Sequence, residues 1–294
     1  MRKAAGDHDG RVFATPWPGM HATRIDSNRE YPRHWHPTYG FGVIERGAHR
    51  SASGRGQVDA HAGDVITSNP GEVHDGRPID GAKRLWRMLY LEPAQFATLA
   101  EDEGASAVSF GIELTQPVID DRPLRRALHS LFARIERWNT SAGPRTDEVL
   151  ACDEALACVG ARLMQHYSTR MRAHGEVTAV RSGDISPALR RVRERLADEL
   201  LDPPSLAALA ELAGIGRYQL LRRFRQAYGV PPYAWLVQQR AERARALVRA
   251  GFALGEAAID AGFADQSHMT RVFVRQFGFT PGAWQRAVRQ AAAQ

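Results

Sequence analysis

The chain has 294 residues, 44% of them hydrophobic, and a formal net charge of +6. That length suggests about two folded domains, and the composition excludes a disordered or low-complexity chain. Two cysteines are too few for a disulfide scaffold, and no apolar run approaches the ~18 residues of a membrane span. The positive excess sits in the C-terminal third. Residues 184–294 hold 16 Arg against 10 Asp or Glu, while the first 183 residues carry 23 basic and 23 acidic groups. Such an asymmetry suggests a polyanion partner for one domain only.

The first residues, MRKAAGDHDG, lack the apolar stretch of a secretory leader, which points to a cytoplasmic protein. From residue 12 to about 90, short β-rich runs such as YGFGVIERG, DVITSNPG and RLWRMLYLEP alternate with Gly, Pro and Asp turns. The pattern predicts a small antiparallel barrel or sandwich. Within it, His34 and His36 alternate at strand period and point to one face. His74 follows a Gly-Asp and Pro-Gly turn. Three imidazoles meeting inside a barrel can hold a divalent metal, or they can line a pocket for an organic ligand. Trp35, Tyr39, Phe41 and Arg46, with the histidines, would suit the mouth of a site for a small polar effector.

After Glu92 the apolar spacing changes to threes and fours. In 121–138 the stripe Leu124, Leu128, Leu131, Phe132 and Ile135 must pack either on the barrel or on a second copy of the chain. Cys152 and Cys158 lie six apart on one helical pattern, so they turn away from each other and are expected as free thiols. Residues 172–184, with two glycines and little apolar content, read as a linker. Beyond it everything reads as helix and turn. Ser186 and Ser205 are placed as N-caps, Pro187 as the first helical residue, and Gly214 as a helix end.

A repeat organises this last segment. Shifting it by 49 residues sets Arg222 on Arg271, Phe224 on Phe273, Gly229 on Gly278, Pro232 on Pro281 and Trp235 on Trp284. Each copy contains a helix with small residues (Ala210, Ala213; Ala258, Ala261), a turn, and a second helix with one apolar and one polar face. This is the layout of a helix-turn-helix. The polar faces carry Arg217, Tyr218, Gln219, Arg222 and Arg223 in the first copy, and Gln266, Ser267, Thr270, Arg271 and Arg275 in the second. Arginine suits guanine and glutamine suits adenine in a major groove, while the outer arginines suit phosphate. His268 reads as a packing residue.

With these residues in view, segment 185–290 resembles the AraC/XylS family of bacterial transcription regulators. The resemblance is densest at Ala258, Gly262, Phe263, Gln266, Ser267, His268, Arg271, Phe273, Gly278, Thr280 and Pro281. It implies two helix-turn-helix subdomains joined by a long helix near Pro232–Val248, a double-stranded DNA operator, RNA polymerase as a partner and a homodimer. Four positions depart from the pattern: Gly216 replaces a capping Ser, Pro231 a small hydroxyl residue, Ala257 an Ile and Met269 a Phe. HWHPTYGFGVI with NPGEVHDG is similar to the sensor domains of such regulators, some of which accompany amino-acid exporters, so an amino-acid-like effector is one candidate. The same two stretches resemble the cupin motifs. The enzymatic version adds a Glu after the second His; here no carboxylate stands there, Glu45 lies nine residues on, and Glu72 is two before His74.

The expected fold is therefore α+β. Residues 1–92 would form a cupin-like sensor barrel, 93–171 a helical dimerisation segment, 172–184 the linker and 185–294 the double helix-turn-helix. The expected function is a non-enzymatic regulator with no certain cofactor. The alternative is a metal-dependent cupin enzyme with an accessory helical domain.

Overall fold

A computed structural model describes residues 8–102, 112–140, 146–169 and 185–292. The expected linker, 172–184, lies outside the described residues. The chain divides into two compact units, Met1–Val177 together with Ala287–Gln294, and Thr178–Arg286.

The first unit opens with strands β1 (His8–Ala14), β2 (Met20–Ser27), β3 (Tyr31–His34), β4 (Tyr39–Arg46), β5 (Ala48–Ser53), β6 (Gly56–His61), β7 (Val65–Ser68), β8 (His74–Pro78) and β9 (Arg84–Leu91). Short strand β10 (Val118–Ile119) follows helix α1 (Pro93–Asp102), and helices α2 (Arg122–Thr140) and α3 (Thr146–Tyr167) complete it. All strand pairings are antiparallel, in two sheets ordered β1-β2-β9-β4-β7-β10 and β3-β8-β5-β6. The sheets do not close into one hydrogen-bonded ring. At one margin β3 carries Pro32, which has no N–H to offer a further strand.

Strand alternation divides the six-stranded sheet into two chemistries. Tyr39, Phe41, Val43, Leu89 and Leu91 face the helices and join Leu128, Leu131, Phe132, Leu156 and Leu163 in the main core. Each such side chain contributes roughly 1.5–3 kcal/mol on full burial. The stripe predicted on α2 is thus spent inside its own chain, with Trp138 added to it. Asp121 fixes the start of α2. Its carboxylate accepts from Leu124 N at 2.9 Å, and from Arg162 Nε and the Tyr167 hydroxyl on α3, both at 2.7 Å. The opposite face of the sheet carries Trp86 and Met88 with Ile25 and Ile44, a much smaller apolar cluster. Cys152 is buried, which pushes its thiol up to about 11; Cys158 is exposed, and both are free.

The second unit comprises α4 (Pro187–Asp198), α5 (Leu206–Ala213), α6 (Arg217–Tyr228), α7 (Pro232–Arg249), α8 (Leu254–Asp260), α9 (Gln266–Phe277) and the start of α10 (Pro281–Ala292), whose residues from Ala287 on are grouped with the first unit. Ser186 and Ser205 cap α4 and α5 by accepting from Leu189 N and Ala208 N. Small residues let the paired helices approach closely: Ala257, Ala258 and Ala261 are fully buried, as is Met269 on the helix that crosses them. The two copies end their first helices identically. Gly214 and Gly262 adopt φ of +65° and +84°, and the next residues, Ile215 and Phe263, donate back to Ala210 O and Ala258 O.

Gly262 is constrained twice. Besides its positive φ, a Cβ there would lie 2.8 Å from Arg240 Nε and 3.0 Å from Leu200 O. Gly262→Ala is therefore expected to destabilise the second unit by about 1–3 kcal/mol. Urea unfolding of the variant, followed by circular dichroism, checks this; an unchanged midpoint would remove the constraint.

Candidate functional site

Helices α6 and α9 are built alike. Leu220 and Phe224 bury one side of α6, and Met269, Val272 and Phe273 one side of α9. The opposite sides are open. Arg217, Tyr218, Arg222 and Arg223 are exposed on α6, Tyr218 at 81%, with Gln219 half-buried beside them. On α9, Gln266, Ser267, Arg271 and Arg275 are exposed, and Thr270 is half-buried with its hydroxyl donating to Gln266 O at 2.8 Å. Among the described residues none of these five arginines forms an ion pair, so their donors remain available. His268 instead packs edge-on against Phe263, with centroids 5.2 Å apart.

The turns differ by one residue. Counted from the left-handed glycine, three residues, Gly214 to Gly216, precede α6, and four, Gly262 to Asp265, precede α9. The first helices of the two copies therefore match at an offset of 48 and the second at 49. The added position is used: Asp265 caps α9 by accepting from His268 N at 2.6 Å, while Gly216 gives α6 no side-chain cap.

In the first unit His34, His36 and His74 do come together. Their ligating nitrogens lie within 4.8 Å of one another. Two of the rings are held from behind. His34 Nδ1 is 2.7 Å from Pro32 O and His74 Nδ1 is 2.8 Å from Glu72 O, which places the proton on Nδ1 and leaves Nε2 as the lone-pair nitrogen. Burial, with His74 beside it, holds His34 down at about 3, and burial also lowers His74, so both are neutral. His36 lies 5.3 Å from the Tyr90 ring, and Tyr90 stacks on His21. Among the described residues no carboxylate joins the three as a metal-ligand cluster. Glu72 grips Arg55 Nε and Nη2 at 2.7 and 2.6 Å, and Glu45 pairs with Arg87.

Three of the expected effector-lining residues lie elsewhere. Tyr39 and Phe41 face the helices, with Tyr39 stacked on Phe96 and bonded to Ile112 O, because they have the opposite strand phase from the face that carries Tyr90. Arg46 ends β4 and forks onto Asp26 at 3.1 and 2.9 Å. Trp35 is buried. Sequence reasoning missed Arg84, His49 and Tyr90. The available signal was the alternation Arg84, Trp86, Met88, Tyr90 along β9, which puts all four on one face.

Comparison with known proteins gives two family matches. Residues 20–151 match the AraC-like ligand binding domain, and residues 209–287 match a helix-turn-helix domain. The HTH-type transcriptional regulator YbfI of Bacillus subtilis is 28% identical over 243 residues, 82% of each chain. The RCS-specific HTH-type transcriptional activator RclR of Escherichia coli is 22% identical over 284 residues, 91% of this chain and 94% of that one. Among solved structures, ToxT from Vibrio cholerae aligns over 97% of this chain and 99% of its own, at 11% identity and a TM-score of 0.46. The matched domains and relatives are transcriptional regulators, not enzymes.

The unequal caps predict unequal sensitivity. Asp265→Ala is expected to cost about 1 kcal/mol, whereas Gly216→Ser should add a few tenths, since a side chain at Gly216 meets nothing within 4 Å. Paired urea titrations of the two variants read the difference.

Proposed function

The chain belongs to the AraC family of transcriptional regulators, and from that premise we propose how its residues divide the work. The C-terminal helix-turn-helix domain binds DNA and the N-terminal domain binds a small-molecule effector. We assign Gln219, Arg222, Gln266 and Arg271 to base edges, with Tyr218, Ser267 and Thr270 beside them. Arg217, Arg223 and Arg275 contact phosphate. The observation that carries this reading is the pair of similarly built helices, each turning unpaired arginines outward from an apolar dock. Two such helices in successive major grooves require a spacing near one helical turn, ~34 Å.

Two chains pair as a homodimer through the helical segment 93–171, each reading one half-site, in the cytoplasm and with RNA polymerase as the downstream partner. The buried stripe of α2 leaves pairing to the outer faces, where Leu150 stands exposed on α3. An amino-acid-like effector would present an ammonium as well as a carboxylate. The acids nearest the histidines, Glu72 and Asp75, are already bonded to Arg55 and to Ala52 N.

Arg271→Ala is expected to lose about 1–3 kcal/mol of operator binding, with relaxed preference at one base pair. Gel-shift competition across single-base operator variants reads this; a uniform loss reassigns Arg271 to phosphate. Affinity for every duplex should fall steeply between 50 and 200 mM salt, by about a thousandfold or more if six phosphates are contacted.

The clustered imidazoles favour a second element. His34, His36 and His74 offer neutral nitrogen ligands for a divalent transition metal, two of them oriented by backbone carbonyls. Such an ion would keep an open position for the effector. Elemental analysis should then find about one metal per chain, lost in His34→Ala. Metal-free protein that still answers its effector would leave the imidazoles as pocket lining.

A further inference from the structure

Arg84 opens β9, and its side chain has 0% exposure. A buried guanidinium ordinarily meets a carboxylate, because an ion taken out of water is very costly unless it is paired. Here its partners are neutral. Nε donates to His49 Nδ1 at 2.9 Å, and Nη1 to the Arg29 carbonyl at 3.1 Å. The guanidinium lies 4.9 Å from the Trp86 ring centroid and 5.9 Å from that of Tyr31. Among the described residues no carboxylate stands within ion-pair distance of it, and Nη2 is buried with no hydrogen-bond partner. Burial pulls Arg84 down to about 10, which still leaves it charged at neutral pH.

A second donor stands next to it. Arginine only donates, so His49 Nδ1 accepts, and the proton of the neutral ring resides on Nε2. His49 is neutral because burial, and then the Arg84 charge, hold it at about 3. Both donors face Gly76 on β8. A Cβ at that glycine would lie 3.0 Å from His49 Nε2 and 3.9 Å from Arg84 Nη2. His49 is half-buried and Arg84 is enclosed, so a ligand reaches Nη2 only when the second sheet opens locally. The apolar cluster beside it, Ile25, Ile44, Ala60, Trp86 and Met88, is small, so local opening there disrupts little packing.

We propose that Arg84 and His49 form the receptor for a small organic carboxylate, the charged end of the effector. One carboxylate oxygen accepts from Arg84 Nη2 and the other from His49 Nε2. The planar guanidinium matches a planar carboxylate, and the faces of Trp86 and Tyr31 provide an apolar wall beside it. This rests on the reading that the N-terminal domain binds a small-molecule effector, and it names that effector's chemical class.

The test uses the full chain and thermal unfolding at constant ionic strength. Acetate, propionate and succinate are titrated against acetamide, propionamide and succinamide, with inorganic phosphate as a separate arm. Carboxylates should raise Tm by about 5–10 °C at a hundredfold excess over Kd, and the amides should not. Arg84→Met should unfold at or above the wild-type temperature without ligand, since it removes an uncompensated buried cation, and should lose the carboxylate response. Arg84→Lys should weaken the response at least tenfold in apparent Kd. Equal shifts from acids and amides would overturn the proposal, as would no shift from any carboxylate or a response to phosphate alone. A ligand-free Arg84→Met that unfolds well below wild type would make Arg84 a structural residue and overturn it too. Duplex binding at low salt, read on the same preparation, separates the two levels: if it persists while the carboxylates do nothing, this inference alone falls.

Discussion

Both helix-turn-helix copies lean on one helix, α7, and on the arginines along it. Arg240 Nε donates to Leu200 O in the connection between α4 and α5 at 2.8 Å. One turn on, Arg243 Nε donates to Asp260 O at the end of α8 at 2.7 Å. Arg245 then lies over the rings of Phe277 and Trp284, while Trp284 Nε1 donates to the Arg245 carbonyl at 3.0 Å. Each bond satisfies a backbone carbonyl or fills a gap that would otherwise expose aromatic surface. Together they tie the α4–α5 connection and the second helix-turn-helix to the middle of an 18-residue rod. A helix rises 1.5 Å per residue, so the rod sets the separation of the two copies more tightly than a loop could.

Burial makes this spine intolerant of change. Glu242 is half-buried, and burial raises its carboxyl even though Arg245 pairs with it at 3.0 Å. One of its oxygens has no hydrogen-bond partner. A pair of this kind adds little net stability, but removing one member leaves the other charge stranded. Gly262 belongs to the same arrangement, since its missing side chain is the space into which Arg240 fits. The family resemblance at that glycine thus has a local cause: a left-handed turn and an arginine packed directly against it.

How much of this was legible in the sequence depended on whether the signal was local. The helix pairs, the serine caps and the Arg222 and Arg271 faces follow from periodicity and capping chemistry within a dozen residues, and the fold has them. The one-residue difference between the turns was hidden because the 49-residue shift was anchored on the second helices, where five landmarks coincide. In the sensor, His34 and His36 share a face, and His74 meets them through the β3–β8 pairing. Tyr39 and Phe41 fall on the helix-facing side because their odd positions alternate with the even ones, His34, His36 and Gly40, a parity that period-two alternation alone announces. Arg46 follows a register shift between Ile44 and Arg46, which leaves it to pair with Asp26. Arg84 was passed over because an arginine in a strand ordinarily marks the solvent face. Its burial is a tertiary fact, created when the second sheet covers it.

Strand β9 also suggests how an event between the sheets reaches the helices. Its even positions, Arg84 to Tyr90, face the histidines. The odd-numbered Arg87 faces away, pairing with Glu45 on β4 and reaching Glu136 on α2 at 3.4 Å, with its guanidinium 5.2 Å from the Phe132 ring. A ligand that draws on Arg84 therefore acts on the strand whose Arg87, three residues away, reaches α2. Contact alone does not make a switch, because a ligand shifts an equilibrium only by its different affinity for two states. The uncompensated charge of Arg84 provides such a difference. With the site empty, the state that leaves the guanidinium driest is penalised, and relaxing toward water is favoured. With an anion in place, the closed state gains a charge-assisted pair and becomes the preferred one. The quantity that changes sign is electrostatic, and the element that must move to express it is the strand whose Arg87 reaches α2.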